Sequence, residues 1–284
     1  MTAAGTAQRT DRVLPLTRWV SIVVIPFLIA AVILLYILAS QTEQLFAWTI
    51  DPPLTAMFLA SAYVGGIWFF AQVLRLRMWH RVAYGFPAVV VFAALLAAST
   101  LLHWERFHHG HPSFIAWLTL YLTTPVVALV AYLMNRREDT GAPEARDYVI
   151  PLVWRVVLGL IGLAALVTGL LMFFIPTLLQ PLWAWPLTPL TTRVVGAILT
   201  LPGMVNLWLL RDTRWSSFRW MFQAQIVSLL FLTLAVLLRA QDLDWTRPAA
   251  LLFVLGIELS LVIYLAFYLS CETQLRRLRR PAPA

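Results

Sequence analysis

Eight stretches of this chain are long and apolar enough to cross a hydrocarbon core, near residues 19–40, 54–74, 82–102, 113–134, 156–175, 190–210, 218–238 and 249–270. A helical span needs roughly 20 such residues. Lipid offers no water to backbone N–H and C=O groups, so each run must satisfy its own, and none shows the alternation of a barrel strand. The sequence therefore predicts an all-α fold, a polytopic membrane helix bundle with eight transmembrane helices. Composition points the same way, at 61% apolar and 12% charged residues, against roughly 45–50% and 25% in a soluble domain. An ordinary water-soluble enzyme is excluded.

All 21 basic residues are Arg, and the net charge is +8. Their distribution gives that charge its meaning. In an eight-span topology 17 of them, from Arg9, Arg12 and Arg18 to Arg276, Arg277, Arg279 and Arg280, fall on one side; Arg106, Arg193, Arg239 and Arg247 fall on the other. This is the positive-inside pattern, which puts both termini in the cytoplasm and the chain in the cell (inner) membrane. The expected partners are the lipid bilayer and, for the tail from Arg276 to Arg280, anionic headgroups on the cytoplasmic face. Nucleic acid is not expected. The first apolar run is too long for a cleavable signal core, so it reads as a retained helix. Cys271 is the single cysteine, so no disulfide forms within the chain.

The second half repeats the first at a lag of 136 to 137 residues. Phe46-Ala47-Trp48 aligns with Trp183-Ala184-Trp185, Thr55 with Thr192, Gly66 with Gly203, Trp79 with Trp215 and Tyr132-Leu133 with Tyr268-Leu269. Four spans per half is an even number, so the repeats share one orientation and are parallel. The expected organisation is a cytoplasmic N-terminal segment (1–18), a first four-helix repeat (19–135), a cytoplasmic linker (136–150), a second four-helix repeat (151–271) and a basic cytoplasmic tail (272–284). The charged, Gly- and Pro-bearing linker reads as solvated. The loops bearing Phe46, Trp48, Trp183 and Trp185 read as an interfacial aromatic belt, with a short helix in each loop. Pro189 suits the first position of span six.

The segment Trp183-Ala184-Trp185-Pro186-Leu187-Thr188-Pro189-Leu190-Thr191-Thr192-Arg193 resembles one found in bacterial multi-pass membrane proteins that have no assigned activity. It covers one loop and a helix start and transfers no function. The plan of two four-helix halves also resembles haem A synthase, a family with haem-ligating His in each half. Here no His occurs from Arg137 onward, and that match is rejected.

Glu258 is the sharpest candidate. It sits in the middle of span eight, where a carboxylate costs roughly 2.5–3.5 kcal/mol on insertion scales, and its counterpart is Leu122. Asn206, Gln225 and Ser228 are its partners at compatible depth, and the four together make an intramembrane polar site. The turn from His103 to His111 holds His103, His108, His109 and His111, residue types that ligate zinc or copper, although their spacing matches no established signature. The same turn in the second half carries Asp242 and Asp244 instead. Tyr121, Thr119, Thr123 and Thr124 present hydroxyls on span four, with Thr in lipid commonly bonding its own backbone. Gly65-Gly66 and Gly203 lie where close helix approach is useful. Pro87, Pro125 and Pro202 are expected to kink their helices.

No phosphate loop, nucleophile elbow or paired-His helix is present in the sequence, so an enzyme is not the leading expectation and no cofactor is expected. The readings that follow are movement of a small solute or ion through the bundle, a structural or accessory subunit of a membrane complex or homo-oligomer, and a metal or redox protein using the His turn.

Overall fold

The computed structural model describes residues 9–279. The expectations for residues 1–8 and 280–284, Arg280 among them, lie outside the described residues. Eight helices are long and apolar enough to span a membrane: α1 (Pro15–Val32, extended by a π turn Ile33–Ile37), α2 (Pro53–Arg75), α3 (Gly85–Leu102), α4 (Pro112–Asn135), α5 (Leu152–Phe174), α6 (Pro189–Trp208), α7 (Trp215–Leu238) and α8 (Pro248–Arg279). Among the described residues there is no strand, only two isolated bridges. The chain is a multi-pass membrane protein.

Five of the eight helices begin with Pro, whose missing N–H costs nothing in the first turn. α6 adds a reciprocal cap, in which Thr188 Oγ1 accepts from the Thr191 N–H and the Thr191 hydroxyl accepts from the Thr188 N–H. Pro125 and Pro202 are inside α4 and α6, as is Pro26 in α1, whereas Pro87 lies in the first turn of α3 and interrupts no helical hydrogen bond. α8 continues as helix well past the apolar run, so residues 272–279 of the basic tail are helical.

The least apolar spans are the most enclosed. α2 and α6 have mean hydropathies of 1.6 and 1.3, against 1.9 to 3.0 for the other six, and both are largely buried by protein. Polar and small residues cost little where a neighbouring helix replaces lipid. α2 packs on α1 and α7, α6 on α5 and α3, α4 on α3 and α1, and α8 on α7. The tightest contact is α5 on α6, where Gly162 and Gly169 face Gly203 and Gly196. A Cβ at Gly169 would lie 2.5 Å from the Gly196 carbonyl oxygen, and one at Gly203 within 3.0 Å of Leu166 main-chain atoms. Only glycine permits that approach.

Loop segments seal both ends of the bundle with paired contacts. On the Arg-rich end, the Val13 N–H donates to the Arg77 carbonyl at 3.0 Å and the Ile150 N–H to the Thr213 carbonyl at 2.8 Å. The Trp79 N–H donates to the Asp11 carbonyl at 2.8 Å, and the Trp215 N–H to the Tyr148 carbonyl at 3.0 Å. On the opposite end, the His108 N–H reaches the Ala47 carbonyl at 2.8 Å and the Asp244 N–H the Ala184 carbonyl at 2.9 Å. The loops after α1 and α5 each contain a short helix, Thr42–Leu45 and Pro176–Leu179. Their aromatic residues depart from the expected belt. Trp48 and Trp185 are fully buried: Trp48 packs on Phe46, Phe107 and Trp117, and Trp185 packs on Phe58 and Phe253 while its Nε1–H donates to Thr55 Oγ1 at 2.8 Å. Folding the loops back over the helix ends gives these rings a protein environment in place of headgroups.

The linker is likewise pinned. Glu138 accepts from Thr10, Asp139 pairs with Arg214, Glu144 with Arg81, and Asp147 with the hydroxyl and N–H of Ser216. Its acids neutralise part of the Arg-rich end.

Candidate functional site

A cavity of about 680 Å³ lies in the middle of the bundle, with walls from all eight helices. α1 supplies Val24 and Leu28, α5 Ile161 and Thr168, and α8 Ile257 and Tyr264; the rest comes mainly from α2, α3, α6 and α7. A second cavity of about 360 Å³ lies among α1, α2 and α4 toward the His-turn end. Leu28, Tyr63, Leu120 and Tyr121 border both.

Two small polar constellations interrupt the apolar wall. In the first, the hydroxyls of Tyr63 on α2 and Tyr121 on α4 are 2.6 Å apart, and both rings are buried. In the second, Asn206 Nδ2 donates to the Tyr264 hydroxyl at 2.6 Å, while Gln225 Nε2 approaches Asn206 Oδ1 at 3.4 Å. Gln225 Oε1 is buried with no hydrogen-bond partner, and Gln225 and Ser228 both line the cavity. Of the four residues singled out on spans six to eight, Asn206 and Gln225 come together, and Ser228 stands nearby against Gly65 of α2. Glu258 does not join them. It is half-buried and its Oε1 accepts from Thr233 Oγ1 at 2.8 Å, although Gly256, Ile257 and Ser260 around it do border the cavity.

The hydroxyls expected on α4 divide. Tyr121 and Thr124 line the cavity, whereas Thr123 is exposed and returns its hydroxyl to the Thr119 carbonyl at 2.7 Å. Tyr63 and Tyr264 were not singled out from the sequence. The signal available was a tyrosine in mid-span, since a phenol in a lipid-facing position would be stranded from both water and a partner.

The His turn is ordered, and its imidazoles serve separate neighbours. His103 Nε2 accepts from Arg193 Nη1 at 2.7 Å. His108 lies between the Phe46 carbonyl at 2.9 Å and Thr49 Oγ1 at 3.3 Å. His109 packs on Trp104 and Phe114, and His111 Nδ1 accepts from the Ser113 N–H as the cap of α4. Among the described residues, no three His, Cys, Asp or Glu side chains are placed to hold a metal ion. Burial first, then the charges of Arg193 and Arg106, push the His103 pKa below 6.5.

At the Arg-rich end, the fifth histidine sits in a site with no sequence signature. His80 is buried between two carboxylates, with Nδ1 2.5 Å from Asp11 Oδ2 and Nε2 3.2 Å from Glu144 Oε1. Arg214 is bidentate on Asp212, which also accepts from the Tyr84 hydroxyl at 2.7 Å. Burial alone would raise the Asp212 pKa, but the bonds from Arg214 and Tyr84 bring it below 3.8.

Comparison of the chain with protein-family models, with curated proteins and with solved structures finds no match. The functional reading rests on the geometry.

An ion entering the central cavity would exchange its hydration shell for a wall with few polar atoms, a cost of several kcal/mol or more. An apolar molecule gains instead, at roughly 25 cal/mol per Å² removed from water. Sites that hold small organic ligands are typically about 300–1,000 Å³, mostly apolar, with a few placed polar groups. This cavity has that size and that character.

Proposed function

We propose that this protein binds a small, largely apolar molecule in the cavity at the centre of its membrane bundle. The observation that carries this reading is the cavity of about 680 Å³ walled by all eight helices, mostly apolar, with two tyrosine-centred constellations and a few single hydroxyls such as Thr124 and Ser228 in its wall. The solute of a carrier or binding protein of this kind is apolar, not an ion. Glu258, bonded to Thr233, then serves helix packing between α7 and α8.

The architecture we propose is a duplication, two parallel four-helix units around a pseudo-twofold axis with both termini cytoplasmic. Support comes from contacts that recur at the sequence lag: Val13–Arg77 and Ile150–Thr213, Trp79–Asp11 and Trp215–Tyr148, and His108–Ala47 and Asp244–Ala184. Helix packing recurs in the same way, since α2 on α7 and α3 on α6 exchange under the repeat. The cavity straddles the axis, with Tyr121 and Ile257, Thr124 and Ser260, and Phe92 and Ser228 at corresponding places on its wall.

The test is to purify the protein in mild detergent, extract it with organic solvent and identify what is released by mass spectrometry. One apolar compound close to one per chain is expected, and Ala62→Phe, which fills part of the cavity, lowers its occupancy. Extracts that contain only bulk membrane lipid, in the same amount from wild type and Ala62→Phe, overturn the reading.

A further inference from the structure

The Tyr63–Tyr121 pair is short of one acceptor. Two phenols bring two protons, and one hydrogen bond at 2.6 Å consumes one of them. Neither hydroxyl has another hydrogen-bond partner among the described residues, so one phenolic O–H is left as an unspent donor. Both residues are buried, Tyr63 at 2% exposure and Tyr121 at 3%. A buried donor without a partner is destabilising, so the site is more stable with an acceptor present.

The position of the pair is as informative as its chemistry. Tyr63 and Tyr121 border both the central cavity and the smaller one toward the His-turn end, so the pair belongs to the wall of each. The walls on either side are mostly apolar: Leu28 and Leu120 border both cavities, Phe92 and Leu232 the central one, and Ala31 and Phe27 the smaller, with the Thr124 hydroxyl one turn along α4. At the corresponding places in the second half stand Thr200, whose hydroxyl bonds the Ala197 carbonyl at 2.7 Å, and Ile257. This donor exists once.

We propose that the ligand of the central cavity is an apolar molecule carrying a hydrogen-bond-accepting oxygen, a ketone, ester or ether, which accepts from the Tyr63–Tyr121 pair. This rests on the binding reading above and adds the chemical class. One consequence is specific to a pair of phenols sharing a single bond. Replacing either tyrosine by Phe removes the internal hydrogen bond but leaves one phenol with its proton free, so the acceptor keeps its donor. Only the double change removes it.

The experiment uses the full-length protein in detergent, equilibrated with an equimolar mixture of a fifteen-carbon methyl ketone and the fifteen-carbon alkane. Retained ligand is measured by gas chromatography after gel filtration. Wild type is expected to enrich the ketone roughly three- to tenfold, the value of one neutral hydrogen bond, relative to Tyr63→Phe/Tyr121→Phe. The two single variants retain the enrichment. Each variant keeps the ring volume, and gel-filtration elution together with the thermal midpoint confirms folding. If the double variant enriches the ketone as wild type does, or wild type retains ketone and alkane in the same ratio as the double variant, the assignment of the acceptor is overturned and the cavity reading stands. If neither probe is retained above the amount in empty micelles, and extraction also yields bulk lipid alone, the cavity reading fails and this inference falls with it.

Discussion

Asp11 with His80, and Asp147 with Ser216, are one joint built in two places. In each, an Asp oxygen accepts the backbone N–H that opens the turn or helix, at 2.9 Å for His80 and 3.0 Å for Ser216, and a second oxygen takes the side chain of the same residue. The backbone geometry is the same and the side chains are not. Ser216 ends its network there, whereas His80 reaches on to Glu144 of the linker and, through it, Arg81. Gly66 and Gly203, which align at the lag of 137 residues, differ in packing in the same way. A Cβ at Gly66 meets only the flexible Leu28 Cδ1 at 3.1 Å, and one at Gly203 meets the main chain of Leu166. Equivalent backbone positions therefore carry shape, and unequal side chains carry the local load.

That contrast can be broken at three points. The largest effect is expected at the glycines: Gly203→Ala forces the α5–α6 contact apart and costs ~2 kcal/mol or more, while Gly66→Ala, where a leucine methyl can rotate away, costs less than ~1 kcal/mol. Thermal unfolding of both variants in the same detergent checks this, and equal losses would mean that the two halves pack alike after all. Next come the joints. His80→Ala leaves Asp11 and Glu144 without their shared partner and is expected to cost ~2 kcal/mol, against ~1 kcal/mol for Ser216→Ala, which removes one hydroxyl. A larger loss at Ser216 would contradict the extended network. The smallest effect is a pH dependence at the opposite end. The His103 pKa is lowered in the fold, so the unfolded chain takes up a proton near pH 6.5 where the folded one does not. Stability is full above about pH 6.5 and falls as pH drops below it, levelling off once the folded His103 is itself protonated. His103→Gln should flatten that slope in unfolding curves between about pH 7.5 and 5.5, and an unchanged slope would assign it elsewhere.

Much of the fold was legible because lipid is a demanding solvent. Apolar runs and their Pro starts placed the helices to within a few residues, apart from the early start of α1 and α5 and the long extension of α8. The aromatic loops misled. A Trp at a membrane edge reads as an interfacial anchor, but Trp48 and Trp185 had enough partners, Phe107 and Trp117 for one and Phe58 and Phe253 for the other, to bury completely. The site was legible in part. Asn206 and Gln225 stood out as amides in apolar helices and do meet, and Tyr121 and Thr124 do face a cavity. Glu258 stood out because a carboxylate in lipid is costly, and in the fold it accepts from Thr233 of the neighbouring helix and does not join the amides. Tyr63 and Tyr264 give a weaker signal, a mid-span phenol that needs a partner out of lipid, and only the fold shows which partner it finds.

The sequence by itself determined the solvent, the helices and their number. Each of these follows from local composition along the chain. Only the tertiary structure decided which polar groups meet and where space remains. The Tyr63–Tyr121 bond joins residues 58 apart, and the Asn206–Tyr264 bond also joins residues 58 apart. The cavity between them is bounded by all eight helices at once. A void is a property of how surfaces fail to fill the space between them, and no single segment encodes it.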